Sequence, residues 1–331
     1  MTLRIDHHLP RVVFSRCLGF ENCRYNGGII SEPMVEQLKP FVEAVTVCPE
    51  VGIRLGVPRH PIRLVGEETA PRLIQPETGL DFTTEMRAFV DRFLGEIEPP
   101  DGFILKHGSP SCGPREVKLF VNEKRGAAFT KTSGMFGGAV AERYSYCAIE
   151  DEGRLKSFDI RQHFLTRLFA LARFRHASDL GRMRDLVAFH SRHKLLLMAY
   201  NQNKMRELGR IAANPERRPI AEVFSRYAEG LHLALAKAPR RTSAINVLMH
   251  GLGYVSDGLE ASEKAFFVDS LEQYRDRRVP LASPTSIMRS WIVRFDVAYL
   301  ADQVYFEPFP LELVDVLDSG KGRVPTGSDV R

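Results

Sequence analysis

FILKHGSPSCGPRE, residues 103–116, runs from an apolar triplet into a loop that gathers two glycines, two prolines and two serines around Cys112. Phe103, Ile104 and Leu105 read as a buried strand. The glycines and prolines beyond them narrow the choices of the backbone, so the loop holds its cysteine in one place. The same grammar recurs upstream. RVVFS (11–15) is a short apolar strand that ends before Cys17, and AVTVC (44–48) is another that ends at Cys48. Helical stretches follow each: SEPMVEQLKPFVEA (31–44), then the amphipathic DFTTEMRAFVDRFLGEI (81–97), whose Met86, Phe89, Val90 and Phe93 share a face. A turn-rich segment with Pro58, Pro61, Pro71 and Pro76 precedes the second helix, and FGGAVAERYSYCAIE (136–150) closes the region. Strand and helix in alternation predict an α/β, Rossmann-like domain with a parallel sheet over residues 1–155.

From about Ser157 the texture changes. SFDIRQHFLTRLFALARFRH (157–176), the long run 179–213, PIAEVFSRYAEGLHLALAKA (219–238), 262–277 and 283–306 all carry helical spacing. Asp179 and Pro219 read as helix starts. Residues 156–315 are therefore expected to form an all-α domain, and the polar stretch 316–331 a disordered tail. The chain is 44% hydrophobic, enough for a core. No apolar run approaches the ~18 residues of a membrane span. The start, MTLRIDHHLPRVVF, lacks the apolar core of a signal peptide, so a cytoplasmic protein without membrane attachment is expected. Five scattered cysteines suit metal binding or catalysis better than a disulfide framework. Charge divides unevenly: residues 1–150 hold 18 Lys+Arg against 19 Asp+Glu, and the remainder 28 against 22. The basic excess of the second half fits a polyanionic partner or a solvated surface.

Cys17, Cys48 and Cys112 each follow a strand, whereas Cys23 and Cys147 do not. Ligands of an open parallel sheet bind beyond the carboxyl ends of its strands. If the three strands are neighbours, their sulfurs converge on one spot, a set suited to zinc or to an iron–sulfur cluster. Separate buried cysteines are the alternative.

SRCLGFENCRYNGG (15–28), VCPEVGIRLGVPR (47–59) and HGSPSCG (107–113), in this order, resemble the thiouracil desulfidase (TudS) family over about residues 9–150. The resemblance implies a [4Fe–4S] cluster bound through Cys17, Cys48 and Cys112, with its fourth iron open to substrate sulfur. It also implies a catalytic Glu50 and a catalytic serine, for which Ser109 is preferred and Ser111 stays open. Asn26 departs from the aspartate usual in that motif. AFHSRHKLLLMAYNQNKMRELGRI (188–211) and the run 274–310 resemble the YbgA-type helical domain, over about residues 160–315. The two together look like the RudS type of desulfidase, which implies 4-thiouridine in transfer RNA as substrate and hydrogen sulfide as product. The implied chemistry is hydrolytic, without net redox change.

Arg24, Tyr25 and Arg59 border the motif loops. Arg24 suits a phosphate or a base edge, Tyr25 base stacking or packing, and Arg59 a substrate contact or a salt bridge. In the helical half Lys194, Lys204, Arg206 and Arg210, near His190 and His193, make a basic stretch fit for an RNA backbone or for solvent. Two rivals to a transfer-RNA desulfidase follow. One acts on free thiouracil or thionucleosides with a structural helical domain, and the other is a cluster-bearing RNA-binding regulator without activity.

Overall fold

The computed structural model describes residues 5–314, so the expected tail at 316–331 lies outside the described residues. The described chain forms two compact units, residues 9–172 with 311–314, and residues 5–8 with 173–310.

The first unit is built on a parallel sheet. Strands β1 (Arg11–Ser15) and β2 (Glu43–Val47) are followed later by β6 (Gly102–Leu105) and β9 (Ala148–Asp151), in the spatial order β2-β1-β6-β9. Every pairing in it is parallel, with Phe14 opposite both Thr46 and Ile104. β1 and β6 are central and buried almost throughout, which is why RVVF and GFIL are runs rather than alternations. A second, mixed sheet was not foreseen. It comprises β3 (Arg63–Val65), β4 (Arg72–Gln75), β5 (Leu80–Asp81), β7 (Val117–Phe120) and β8 (Phe129–Thr132), ordered β5-β4-β3-β7-β8. Helices of this unit are α1 (Pro33–Leu38), α2 (Pro49–Gly52), α3 (Thr83–Glu96) and α4 (Met135–Arg143). Val13, Phe103 and Leu105 of the parallel sheet share one core with Leu64, Val117 and Leu119 of the other. Met86, Phe89 and Val90 of α3 and Phe136 and Val140 of α4 complete it.

α5 (Phe158–Leu180) contributes to both units. The helical unit continues with α6 (Met183–Ala213), α7 (Ile220–Ala234), α8 (Arg241–Gly253), α9 (Ala261–Arg275), α10 (Ala282–Arg294) and the short α11 (Ala298–Ala301). Pro219 starts α7 as expected. Asp179 does not start a helix. It sits near the end of α5, because the break falls at Gly181 (φ +63°), and α6 begins at Met183. α6 is itself broken at Asn201 (φ −158°, ψ 99°), whose Oδ1 accepts from Lys204 N at 3.0 Å and so caps the second segment. Tyr227 of α7, fully buried, packs with Phe174 and Phe189 and sits 2.9 Å from His190 Nδ1. Among the described residues no helix is long and apolar enough to cross a membrane.

Candidate active site

Because β1 lies between β2 and β6, the carboxyl ends of three neighbouring strands carry the three cysteines expected to converge. They do converge: Cys17, Cys48 and Cys112 line one cavity of about 260 Å³. Cys48 stands between β2 and α2, with Pro49 at the first helical position, where its missing N–H is harmless. That turn aims Glu50 into the same cavity. The loop of Cys112 is held by α4, whose first N–H groups have no helical acceptor. Met135 N donates to Pro110 O (3.1 Å), Phe136 N to Ser111 O (2.9 Å) and Gly137 N to Ser111 O (3.1 Å).

Glu50 uses both carboxylate oxygens. Ser111 Oγ donates to Oε1 at 2.7 Å, and Arg59 donates to Oε2 through Nε at 2.8 Å and Nη2 at 2.7 Å. The pair is well shielded, with side chains 13% and 6% exposed, and Arg59 also donates to the carbonyls of Gly56 and Cys23, each at 3.0 Å. Arg59 therefore makes an ion pair inside the site rather than on the surface. The two serines separate here. Ser109 Oγ accepts from Cys112 N at 3.1 Å, a bond internal to the turn, and lies 3.0 Å from Ser111 Oγ. Ser111, not the preferred Ser109, touches the carboxylate. Arg24 and Tyr25 line the cavity as well, with the Arg24 guanidinium 5.8 Å from the centre of the Tyr25 ring, itself 43% exposed. Asn26 closes their turn by accepting from Gly28 N at 3.2 Å, which an aspartate would do equally.

Cys23 is the unexpected member. It follows no strand, yet it lines the cavity, and its thiol is within hydrogen-bonding reach of both Cys17 and Cys48. The turn from Arg24 to Gly28 brings it there. Cys147 stays apart, its thiol donating to Pro100 O at 3.0 Å. Contact with Cys17 pushes the Cys23 thiol up to about 11, contact with Cys23 and burial raise Cys48, and burial pushes Cys112 up to about 12. Such a set stays neutral until positive charge enters, and metal coordination deprotonates a thiol outright. Ser15, Lys106 and His107 also line the cavity. Lys106 is tied to Glu152 at 2.5 Å and His107 to Asp151 at 3.3 Å, from the end of β9. Their only signal in sequence is the position just after GFIL. Among the described residues no three His, Cys, Asp or Glu are close enough to share a single metal ion.

Lys194, Lys204, Arg206 and Arg210 all fall on α6, the first before its break and the others after it. Lys194, Arg206 and Arg210 are exposed, and Lys204 pairs with Glu207 at 2.8 Å. His190 and His193 face the buried side, on Tyr227 and the Phe189 carbonyl respectively.

Comparison with known proteins matches two separate parts of the chain to two families. The model of the 2-thiouracil desulfurase family matches residues 12–152, and that of the family described as a protein of unknown function, DUF1722, matches residues 194–310. The chain is 27% identical over 158 residues to the uncharacterized protein YbgA of Escherichia coli (strain K12), covering 47% of this chain and 93% of that one. It is 33% identical over 110 residues to the uncharacterized protein YbbK of Bacillus subtilis (strain 168), covering 31% of this chain and 72% of that one. A solved [4Fe-4S]-dependent thiouracil desulfidase, TudS, is similar at 27% identity and TM-score 0.37, over 44% of this chain and 93% of that chain. The chain thus belongs to the 2-thiouracil desulfurase family, with a DUF1722, YbgA-type segment following in the same polypeptide.

Proposed function

We propose that this protein is an iron–sulfur desulfidase that converts 4-thiouridine in transfer RNA to uridine, holding a [4Fe–4S] cluster through Cys17, Cys48 and Cys112. The observation that carries the reading is the meeting, in one cavity, of three cysteines from three adjacent strand ends with Ser109 and with Glu50, to which the fully buried Ser111 donates. The donor set fits a cluster. Cys17, Cys48 and Cys112 would each hold a separate iron of such a cluster, and so need not crowd around one ion as a zinc site would require. A cubane with three protein ligands supplies one open, sulfur-seeking iron as a Lewis acid for the thiocarbonyl.

The chain supplies the rest. Arg59 fixes the carboxylate of Glu50 through Oε2 and leaves Oε1 to take a proton from the attacking water. Ser111 moves with that proton, and Ser109, 3.0 Å away, can relay it. Tyr25 offers an exposed ring face to the base, and Arg24 a cation to a phosphate or base edge. The balance is that of a hydrolysis. Water oxygen replaces sulfur on carbon, sulfur departs as hydrogen sulfide with the two protons of water, and no electron is gained or lost. Support for transfer RNA over a free thiobase is the basic excess of the helical half and its exposed cations on α6.

One anaerobic experiment tests these levels together. The protein should be brown, with roughly four irons per chain, and should release sulfide from thiolated transfer RNA. Cys17→Ala, Cys48→Ala and Cys112→Ala should each deplete iron and activity, while Cys147→Ala keeps both. A colourless zinc protein would defeat the cluster. Iron without sulfide release from any thiolated substrate would point to a regulator. Release from free 4-thiouracil alone would remove transfer RNA and leave the desulfidase standing.

A further inference from the structure

The mixed sheet turns one face to the core, and its other face carries cations that the fold itself does not use. Leu64, Val117 and Leu119 point into the core. Strand residues alternate between faces, so Arg63 of β3, Lys118 and Phe120 of β7, and Phe129 and Lys131 of β8 share the other one. The register sets Lys118 directly opposite Lys131 and Phe120 opposite Phe129. Like charges in that position destabilise a ladder. Lys131 has structural reasons to be there. It pairs with Glu116, and a lysine on an edge strand discourages pairing with another chain. Lys118 has neither reason. Its strand is interior, between β3 and β8, and it forms no ion pair among the described residues.

Aromatic rings hold the two inner cations instead. Lys118 Nζ lies 4.5 Å from the centre of the Phe129 ring, and the Arg63 guanidinium 4.9 Å from that of Phe120. A ring positions a cation without cancelling its charge, as a carboxylate would. The hairpin tip adds Lys124 and Arg125, both exposed and without an ion pair among the described residues. Residues 117–132 thus hold four cations against one acid, Glu123, in the half of the chain that lacks the basic excess. Glu67 and Glu68, exposed in the turn after β3, pair with none of these cations. The hairpin is also rooted at the cysteine site. β7 begins four residues after Gly113, and β8 leads through Ser133 to Gly134, whose N–H donates to Gly113 O at 2.7 Å.

We propose that the solvent face of the β7–β8 hairpin, with Arg63 beside it, is a docking surface for an RNA backbone, Lys118, Lys124 and Arg125 taking phosphates. A strand of RNA laid along the hairpin runs from the basic tip toward the loop of Cys112. The inference rests on the reading of RNA as the carrier of the substrate, and it gives the desulfurase unit an RNA contact of its own.

Binding of unmodified transfer RNA to the full-length protein, read by fluorescence anisotropy across a salt series, tests this. The triple variant Lys118→Gln, Lys124→Gln, Arg125→Gln should bind about tenfold more weakly or worse, and the slope of log affinity against log salt should fall by about 2–3. Sulfide release from a free thiobase should not change, because none of the three lines the cysteine cavity. On the unaltered protein, saturating RNA should protect Lys118 and Lys124 from acetylation, which mass spectrometry reads without any substitution. RNA held by these cations with no sulfide released from its thiolated form would leave the surface standing and remove the desulfidase. Three results overturn the proposal: unchanged affinity and slope in the folded triple variant, unchanged acetylation under saturating RNA, or displacement of the RNA by polyglutamate at equal charge, which would assign the face to an acidic protein.

Discussion

Glu50 is gripped from two sides, by Arg59 on Oε2 and Ser111 on Oε1, and this decides what substitutions there should do. Glu50→Gln keeps the shape but not the base, so turnover should fall by roughly 100-fold while iron content, measured per chain, stays the same. Normal turnover would assign the base elsewhere. The serines give a sharper contrast. Ser109→Ala removes an acceptor from Cys112 N and should cost about 1 kcal/mol in urea unfolding. Ser111→Ala removes the donor to Glu50 and should cost more in turnover than in stability; the opposite ordering would return the catalytic role to Ser109. The sequence motif SPSC names both residues and cannot rank them, because the ranking depends on which hydroxyl meets a glutamate 61 positions away. Arg59 and the three strand-end cysteines were legible from their loops, and Glu50 from the family resemblance of its motif. Cys23 was not, since the turn that delivers it has no strand before it.

At the scale of elements, the Cys112 loop and the start of α4 are one device: the loop offers carbonyls, and the helix offers amides that lack acceptors. Close approach requires glycine at 137, where a Cβ would stand 2.4 Å from the carbonyl oxygens of Cys112 and Gly113. Gly137→Ala should therefore cost about 1–3 kcal/mol and lower iron per chain, because the backbone that presents Cys112 must move. Gly95→Ala, near the end of α3 with nothing within 4 Å, should instead be neutral or stabilise by up to about 1 kcal/mol. Thermal unfolding and iron assays on the two variants compare a collision with plain helix propensity. Equal behaviour would mean that the contact at Gly137 relaxes freely. The parallel sheet could be read from RVVFS, AVTVC and GFIL because central strands are continuous apolar runs. The mixed sheet could not. Its strands are two to four residues long, β5 and β8 are largely exposed, and prolines crowd the approach to β3 and β4.

For the whole molecule, the change from strand–helix alternation to helical spacing near Ser157 marked two architectures, but not where each compact unit ends, since one continuous α5 serves both. Charge was equally legible in amount and not in arrangement. The second half holds the basic excess, yet the break at Asn201 sets Lys194 on one segment of α6 and Lys204, Arg206 and Arg210 on another, so they need not form one stripe. Lys204 is moreover committed to Glu207. Neutralising all four to glutamine in the full chain should weaken binding of thiolated transfer RNA and flatten its dependence on salt. Each phosphate contact adds about 0.9 to the slope of log affinity against log salt, so three unpaired cations predict a loss near ~3 rather than four times that unit. Sulfide release from a free thiobase should not change, because none of the four lines the cysteine cavity. A titration series across salt concentrations reads the slope directly. If affinity and slope both survive, the α6 cations are a solvated surface, and the RNA must be held by other groups, Arg24 among them.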